Sequence, residues 1–299
     1  MMNDVQMVKL LRQETGASFL DCKKAVATYG HDVEQAMAFL REKGLNKAAE
    51  KMERETAEGI VVVKTAVSAA VAIELACETD FVARNEIFKT FAQQLADHML
   101  AVPAVQDAAA LLLAVLPNSS GKTVQARIHE LVSQFGENIV LRRAARFAGQ
   151  AGYILTGYVH AGAIAGYEPT EGRVGVLLEL AVNTAVATHP QIQQLAHNLA
   201  LHIAGDAPQY VSQADIPAPV WQQMEQTLWE EVAQLNKPDE LKAKMVQGRL
   251  GKWLQATCLL SQPYLLADSG TVASLLERTG NELDTAITVS RFARFELGV

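Results

Sequence analysis

The spacing of apolar residues changes from a helical period to a strand-like pattern near residue 60. In the first 45 residues, apolar side chains recur every three or four positions, so each predicted helix has one apolar stripe. Ser18 and Asp32 each stand three positions before a polar residue, which is the spacing of a helix N-cap. Gly16, Gly30 and Gly44 mark the predicted helix ends. The sequence therefore predicts three short helices around a small core, with these buried positions: Val8, Leu11, Phe19, Cys22, Val26, Val33, Met37 and Leu40.

A charged segment and then a strand hairpin follow these helices. Residues 46–59 mix both charges densely with few apolar residues, which predicts a solvated helical linker. The stretches 60–67 and 71–77 are rich in β-branched and apolar residues, the pattern of a strand hairpin. Residues 86–100 return to the helical period. The predicted buried stripe of this helix contains Ile87, Phe91, Leu95 and Met99.

The same order of strand, junction and helix occurs twice in the chain. The strands match at an offset of 105 residues and the helices at an offset of 104. This repeat predicts two similar α+β subdomains, each with an antiparallel sheet under a helix. Glu74 and Glu179 occupy matching strand positions, where we expect edge or solvent-facing side chains. The second copy reads AVATHP where the first reads DFVARN, so the repeated fold does not require Asp80 and Phe81.

Two further helices, a short helix and a final strand complete the predicted fold. The stretches 220–235 and 240–255 flank the sequence NKPD, which predicts an antiparallel helical hairpin projecting from the second subdomain. The fold class is therefore α+β. The predicted domains are a three-helix docking domain at 1–45, the linker at 46–59, one core subdomain at 60–148, and a second core subdomain at 149–299 that includes the helical hairpin at 215–256.

The composition indicates a folded protein that does not contact nucleic acid directly. The chain has 299 residues, of which 49% are hydrophobic, enough for about two domains with apolar cores. Its 33 acidic and 26 basic residues give a net charge of −7. The three cysteines lie far apart without a CxxC pair, which is typical of free thiols in a reducing compartment. No apolar run approaches the roughly 20 residues that cross a membrane, so we expect a cytoplasmic protein without a membrane partner.

The sequence does not predict an enzyme active site. Residues 116–123 read LPNSSGKT and end like a phosphate-binding P-loop, but Leu116 stands where the first glycine belongs. A helix-capping turn is the alternative interpretation of this stretch. The seven histidines include no HExxH pattern, and the sequence places no base beside a cysteine. We therefore predict no catalytic residue, no metal site and no cofactor.

The sequence ETDFVARN at 78–85 places an aromatic residue at the strand-to-helix junction. In one interpretation, Thr79 or Asp80 caps the helix and Phe81 packs its first turn onto the sheet. In the other, a partner protein buries Phe81, and Asp80 brings its charge near a bound cation. The absence of this acid and this aromatic residue from the second copy favours the partner interpretation.

Segments along nearly the whole chain, in order, carry a resemblance to a known family. They are TGASFLDCKKAV (15–26), CETDFVARNEIF (77–88), FGENIVLRRAARF (135–147), YVHAG with GRVGVLLEL (158–162 and 172–180), KPDELKAKMVQGR (237–249) and SRFARFELG (290–298). The first two are specific, and the chain resembles the bacterial elongation factor Ts family, the guanine-nucleotide exchange factors of elongation factor Tu. The resemblance implies an N-terminal ubiquitin-associated-like three-helix domain, a core of two subdomains and a helical hairpin.

The resemblance also implies how the junction acts. The residues matching Thr79, Asp80, Phe81 and Val82 would enter GDP-bound elongation factor Tu beside its magnesium and phosphate site. Asp80 and Phe81 would displace helices that support the cation, so that GDP leaves. The GTPase would supply all the nucleotide chemistry, which makes this chain an exchange factor rather than an enzyme.

Further contacts with elongation factor Tu are implied for residues outside the junction. His160 would help to press on the GTPase, and Arg12, Phe19 and Lys23 would contact its nucleotide-binding domain. The family usually has a short glycine-rich turn after the histidine, whereas this chain has a long loop at 161–172 with a proline. The implied role of His160 therefore depends on where this loop leaves it.

Two other classes of function remain open at the level of sequence. A P-loop-like nucleotide-binding enzyme would bind nucleotide without a partner. A scaffold or chaperone of a GTPase would bind elongation factor Tu without changing the rate of nucleotide release.

Overall fold

The chain is divided between two structural units. The computed structural model describes residues 2–51, 53–117, 119–161, 169–265 and 270–299. The first unit contains Met1–Ala148, Val159–Gly175 and Phe295–Val299, and the second contains Gly149–Tyr158 and Val176–Arg294. The N-terminal helices thus group with the first core subdomain, and the four domain ranges given above stay a prediction.

Helices and antiparallel strands are combined, which confirms the α+β class. The described helices of at least four residues are α1 (Asp4–Thr15), α2 (Phe19–Tyr29), α3 (Val33–Lys51), α4 (Asp80–Ala83), α5 (Glu86–Ala101), α6 (Ala108–Leu113), α7 (Val124–Phe135), α8 (Pro190–Asp206), α9 (Ala218–Ala233), α10 (Asp239–Thr257) and α11 (Val272–Glu282). The described strands are β1 (Glu58–Ala66), β2 (Ala69–Cys77), β3 (Ile139–Ala148), β4 (Tyr153–His160), β5 (Glu171–Gly172), β6 (Val174–Ala181) and β7 (Thr288–Glu296).

The two predicted N-caps of the N-terminal helices are confirmed. The backbone N–H of Asp21 donates to Ser18 Oγ at 3.2 Å, and that of Gln35 donates to Asp32 Oδ1 at 3.0 Å. Each cap satisfies a helical N–H that has no partner within its own helix. The three helices then enclose a separate apolar core formed by Met7, Val8, Leu11, Ala17, Cys22, Ala25, Val26, Ala36 and Leu40.

Two of the three predicted helix ends are confirmed and one is wrong. Gly16 and Gly30 end α1 and α2 with φ angles of 68° and 59°, a region that glycine adopts at little cost. Gly44, by contrast, lies inside α3, which continues to Lys51. A glycine within a helix costs only about 1 kcal/mol, and the following sequence LNKAAEK consists mostly of strong helix formers. The predicted linker at 46–59 therefore begins as part of α3 and ends as part of β1.

Two residues of the predicted buried stripes are exposed instead. Phe19 is 57% exposed and Ile87 is 47% exposed. Phe19 is the first residue of α2 and Ile87 the second residue of α5, so both stand where the stripe extends past the packed part of the helix. Periodicity identifies the apolar face of a helix but not the length over which that face is covered.

The sheet of the first unit has the strand order β3-β2-β1-β5. β1 and β2 form the predicted hairpin, and the pair Ala66 and Ala69 leaves a turn of two residues rather than about three. α5 packs on both strands of this hairpin. The largest fully buried side chains of this core include Ile60, Ile73, Leu75, Phe88, Leu95, Met99, Leu111 and Leu131.

A β-bulge in β3 brings two arginines to one buried glutamate. Glu74 pairs with Arg143 and the next residue of β2 pairs with Leu141, so Arg142 is the extra residue. Consecutive strand residues normally point to opposite faces, and the bulge removes this alternation locally. Arg143 Nε lies 2.5 Å from Glu74 Oε2, and Arg142 Nη1 lies 3.5 Å from Glu74 Oε1. The prediction that Glu74 faces solvent or an edge is therefore wrong, because Glu74 is fully buried.

The matching glutamate of the second copy is also buried and paired. The second sheet has the order β4-β6-β7, and Glu179 lies in its central strand. Arg291 of β7 forms two hydrogen bonds with Glu179, at 3.1 and 2.9 Å. The expectation of a solvent-facing Glu179 is wrong as well. Both errors have one cause: an arginine supplied by a distant strand neutralises a carboxylate that would otherwise not be buried.

The predicted helical hairpin of the second unit is confirmed as α9 and α10. Its core contains Leu228, Val232, Val246 and Leu250. Trp221 and Trp253 pack at the open end of the hairpin, with ring centroids 5.9 Å apart.

Candidate functional site

Thr79–Val82, here called the junction segment, lies between the end of β2 and the start of α5. β2 ends at Cys77, and Thr79 keeps an extended backbone with φ −125° and ψ 155°. Asp80 then starts the single turn of α4. Asn85 caps α5 by accepting a backbone N–H of that helix at 2.9 Å. The junction segment is therefore a short turn between two elements that pack in the same core.

The aromatic side chain of the junction segment points into solvent. Phe81 is 84% exposed, whereas Val82 and Ala83 are buried in the core of the first unit. The interpretation in which Phe81 packs its own helix onto the sheet is therefore wrong. A partner that buried this side chain would gain about 1.5–3 kcal/mol from the hydrophobic effect.

Asp80 takes part in an exposed ion pair. Its Oδ2 lies 3.2 Å from Arg84 Nη2, one helical turn later, and both side chains are about half exposed. Exposed pairs of this kind contribute about 0–1 kcal/mol. A charged group of a partner could therefore replace Arg84 at small cost.

Thr79 does not cap α4 with its side chain. Its backbone N–H donates to Glu137 Oε2 at 3.0 Å, and its hydroxyl donates to Glu137 Oε1 at 2.6 Å. The capping interpretation of Thr79 is therefore wrong. Glu137 belongs to the turn between α7 and β3 and lies within the segment 135–147 that carries the family resemblance, but no periodic pattern singled it out.

The junction of the second copy keeps a turn without the acid and the aromatic residue. Thr184–Val186 form a short 3-10 turn that Asn183 caps by accepting the Ala185 N–H at 3.0 Å. At the offset of 105 residues, Ala185 and Val186 stand opposite Asp80 and Phe81. A turn thus forms at this place in the repeat without an exposed aromatic side chain.

The candidate residues of the N-terminal helices are all exposed. Arg12 lies in the last turn of α1, and Phe19 and Lys23 lie one turn apart on α2, so these two share one helix face. Leu20 is exposed beside Phe19, and sequence reasoning missed it. Periodicity selects buried positions, so it gives no signal for an apolar residue that stays in solvent.

His160 ends strand β4 and has an exposed side chain. Its carbonyl oxygen accepts the backbone N–H of Arg173 at 3.0 Å, which joins the two ends of the long loop predicted at 161–172. Residues 162–168 of this loop lie outside the described residues, whereas Glu171 and Gly172 form β5. His160 thus lies on β4, which is a different element from the junction segment and from the helix α2 that carries Phe19 and Lys23.

The described end of the stretch that resembles a P-loop, residues 119–123, is a helix-capping turn. Thr123 Oγ1 accepts the Ala126 N–H at 3.3 Å and caps α7. Lys122 Nζ lies 2.5 Å from Glu130 Oε1, so its charge is neutralised within the protein. In a P-loop, the corresponding lysine would instead bind a phosphate.

The cysteines and the other metal-ligating residues form no reactive site in the described part of the chain. Cys22, Cys77 and Cys258 are free and buried. Burial, assisted by the charges of Glu137 and Glu58, raises the pKa of Cys77 to about 12, which leaves it as an unreactive thiol. The described residues bring no three of His, Cys, Asp and Glu together as ligands for a metal ion. They also include no helix with the length and hydropathy to span a bilayer.

His202 of the second unit is fully buried. Leu265 donates its N–H to His202 Nδ1 at 3.4 Å, and His202 Nε2 lies 3.1 Å from Gln262 Oε1. This pattern fits a neutral ring with its hydrogen on Nε2. Burial lowers the pKa of His202, although Asp206 and Gln262 oppose this effect.

The buried His202 predicts that the second unit loses stability in weak acid. Because the pKa of His202 is lower in the folded than in the unfolded chain, the unfolded chain binds more protons as the pH falls below about 6.5. We expect a lower melting temperature at pH 5.5 than at pH 7.5. In His202→Gln this pH dependence should be smaller, and an unchanged dependence would show that other groups cause it.

The sequence of this chain is similar to those of known elongation factors. The family model described as Elongation factor TS matches residues 78–299. Elongation factor Ts of Rhodospirillum rubrum is 36% identical over 292 residues, which cover 98% of this chain and 91% of that protein. Elongation factor Ts of Symbiobacterium thermophilum is 39% identical over 98% of this chain and 91% of its own length. For Elongation factor Ts of Aquifex aeolicus the identity is 38%, over 97% of this chain and 96% of that protein.

The chain therefore belongs to the elongation factor Ts family. The family resemblance seen in the sequence is confirmed by these matches.

Proposed function

We propose that the chain is a guanine-nucleotide exchange factor that binds GDP-bound elongation factor Tu and promotes the release of GDP. The junction segment enters the GTPase beside its magnesium and phosphate site. The observation that supports this most is the exposure of Phe81, 84%, on a turn whose counterpart in the second copy has no aromatic residue.

Phe81 supplies the apolar part of this action. Its ring leaves water when it enters the GTPase, which contributes about 1.5–3 kcal/mol toward displacing helices that support the cation. A ring presented on a turn between packed elements loses little conformational freedom on binding. Binding energy is thereby available for opening the nucleotide site.

Asp80 supplies the electrostatic part. A carboxylate brought near the magnesium site changes the charge balance that holds the cation and the diphosphate. Leaving its exposed partner Arg84 costs Asp80 little. The loss of the cation then weakens the hold of the GTPase on GDP.

Other exposed residues hold the two proteins together in this proposal. Phe19 and Lys23 of α2, with Arg12 of α1, contact the nucleotide-binding domain through apolar and cationic groups. His160, at the end of β4, presses on the GTPase from a separate strand. Val82 is buried and anchors the junction segment in its own core.

The proposed action needs no covalent chemistry in this chain. The GTPase holds the nucleotide and the magnesium ion, and the chain acts in the cytoplasm, where translation takes place. The net charge of −7 supports a protein partner rather than direct contact with nucleic acid.

Stopped-flow release of a fluorescent GDP from elongation factor Tu tests this function. With excess unlabelled GDP, the release rate should rise with the concentration of the chain and reach a plateau. Binding without faster release would identify a scaffold. Binding of labelled nucleotide by the chain alone would identify a nucleotide-binding enzyme.

A further inference from the structure

We infer that Glu137, outside the junction segment, is a positioning residue for nucleotide release because it fixes the base of the turn that presents Phe81. This inference rests on the proposed function. Glu137 stands 58 residues from Thr79 in sequence, in the turn between α7 and β3.

One carboxylate holds both the backbone and the side chain of Thr79. Glu137 Oε2 accepts the Thr79 N–H at 3.0 Å, and Oε1 accepts the Thr79 hydroxyl at 2.6 Å. Hydrogen bonds to an ionised acceptor are about twice as strong as bonds between neutral groups. The two bonds together fix the orientation of the Thr79 peptide and its rotamer.

The residues next to Thr79 and Glu137 form a hydrogen bond with the donor and the acceptor exchanged between the two segments. Glu78 Oε1 accepts the backbone N–H of Asn138 at 2.6 Å. Asn138 is buried, and its side-chain amide donates to the carbonyl oxygen of Arg54 at 2.8 Å. The consecutive residues 78 and 79 are thus tied to the consecutive residues 137 and 138 in both directions.

The orientation of Thr79 determines where α4 begins. The carbonyl oxygen of Thr79 accepts the Ala83 N–H at 3.2 Å, which is the first hydrogen bond of that helix. A helix of one turn does not form by its own hydrogen bonds, because fixing the first turn costs more than one bond returns. The direction of α4, and with it the position of Phe81, therefore depends on the contacts of Thr79 together with the burial of Val82 and Ala83 in the core.

The junction of the second copy is held locally instead. Asn183, at the position that matches Glu78, caps its own turn two residues later. The contact with Glu137, which is distant in sequence, thus occurs at the junction that presents the aromatic side chain of Phe81. This contrast connects the long-range contact of Glu137 with presentation of Phe81 rather than with the repeated fold.

Three substitutions of Glu137 separate hydrogen-bond geometry from charge. Glu137→Ala removes both bonds, and Glu137→Asp keeps the charge but withdraws the carboxylate by one methylene. Glu137→Gln removes the charge yet can keep both contacts, because its oxygen accepts the Thr79 N–H and its amide donates to the hydroxyl. We expect Ala and Asp to lower the plateau rate of GDP release by about tenfold, below the roughly hundredfold that a misplacement of about 1 Å can cost.

The plateau rate distinguishes positioning from loss of folded protein. Unfolded chain lowers the active concentration and shifts the concentration at half-maximal rate, whereas a misplaced Phe81 lowers the plateau. Glu137→Gln should stay within about twofold of the unsubstituted chain, since both contacts persist. Glu130→Ala is the matched control, because it removes a carboxylate of α7 that pairs with Lys122 and Arg127 rather than with the junction segment, and it should leave the plateau unchanged.

A double-substitution cycle with Phe81→Ala completes the test. If Glu137 acts through Phe81, Glu137→Ala should slow release by less than about twofold further in that background. Three results would each overturn the inference. They are an unchanged plateau rate in Glu137→Ala, full additivity in the cycle, and a plateau rate of Glu137→Asp that matches the unsubstituted chain while that of Glu137→Gln matches Glu137→Ala. If Glu137→Ala does not fold, the plateau rates of Glu137→Gln and Glu137→Asp decide whether Glu137 positions the junction segment. An unchanged plateau in Phe81→Ala alone would instead overturn the proposed function.

Discussion

Replacing Asp80 and Phe81 together by alanine should slow the release of GDP from elongation factor Tu by about thirtyfold. Burial of the Phe81 ring is worth about 2 kcal/mol, and each 1.4 kcal/mol corresponds to roughly a factor of ten. The loss of the Asp80 charge adds to this effect. Stopped-flow release of fluorescent GDP at a saturating concentration of the chain measures it.

The same double substitution should leave the fold intact. Phe81 is 84% exposed and the Asp80 pair is a surface pair, so the melting temperature should stay nearly unchanged. Val67→Ala is the matched control, since Val67 is a fully exposed apolar residue in the β1–β2 turn of the same unit. It should change neither release nor stability. A release rate unaffected by Asp80→Ala with Phe81→Ala would refute the role of the junction segment.

Replacing Glu74 by alanine should lower the free energy of unfolding of the first unit by about 3 kcal/mol. Glu74 is fully buried between β1 and β3, where it pairs with Arg142 and Arg143. Its removal leaves two cations without their carboxylate, and the partial exposure of both arginines keeps the cost from being larger.

Guanidinium denaturation of Glu74→Ala measures this cost, with Glu179→Ala as the comparison. Glu179 pairs with the single arginine Arg291, whose side chain is about half exposed, so its removal should cost less. Because the chain contains two units, the transitions should be followed with probes in each unit rather than fitted as one. A loss below about 1 kcal/mol in Glu74→Ala would show that water replaces the carboxylate without strain.

The sequence predicted those features that depend on neighbouring residues. The N-caps at Ser18 and Asp32 and the hairpin of β1 and β2 follow from local chemistry, and the structure contains them. Gly44 does not end its helix as predicted, because the small cost of a glycine is outweighed by the strong helix formers that follow it.

Features that depend on distant segments could not be predicted. The burial of Glu74 requires the bulge in β3, and the hold on Thr79 requires Glu137, which is 58 residues away in sequence. No pattern of period two or 3.6 encodes either contact. Phe81 is different, because the internal repeat provided a second junction with which to compare it. The difference between the two junctions predicted that Phe81 has a role other than stabilising the fold, and the exposure of Phe81 agrees with that interpretation.

In the proposed exchange, the chain and GDP each weaken the other's binding to elongation factor Tu. Linkage requires the two effects to be the same factor. The most direct test is to measure the Kd of the chain for elongation factor Tu with no nucleotide and with saturating GDP, and the Kd of GDP with and without saturating chain. We expect weaker binding in both cases by one common factor, and a smaller factor for Asp80→Ala with Phe81→Ala. Equal affinity of the chain for the GDP-bound and the nucleotide-free GTPase would contradict it.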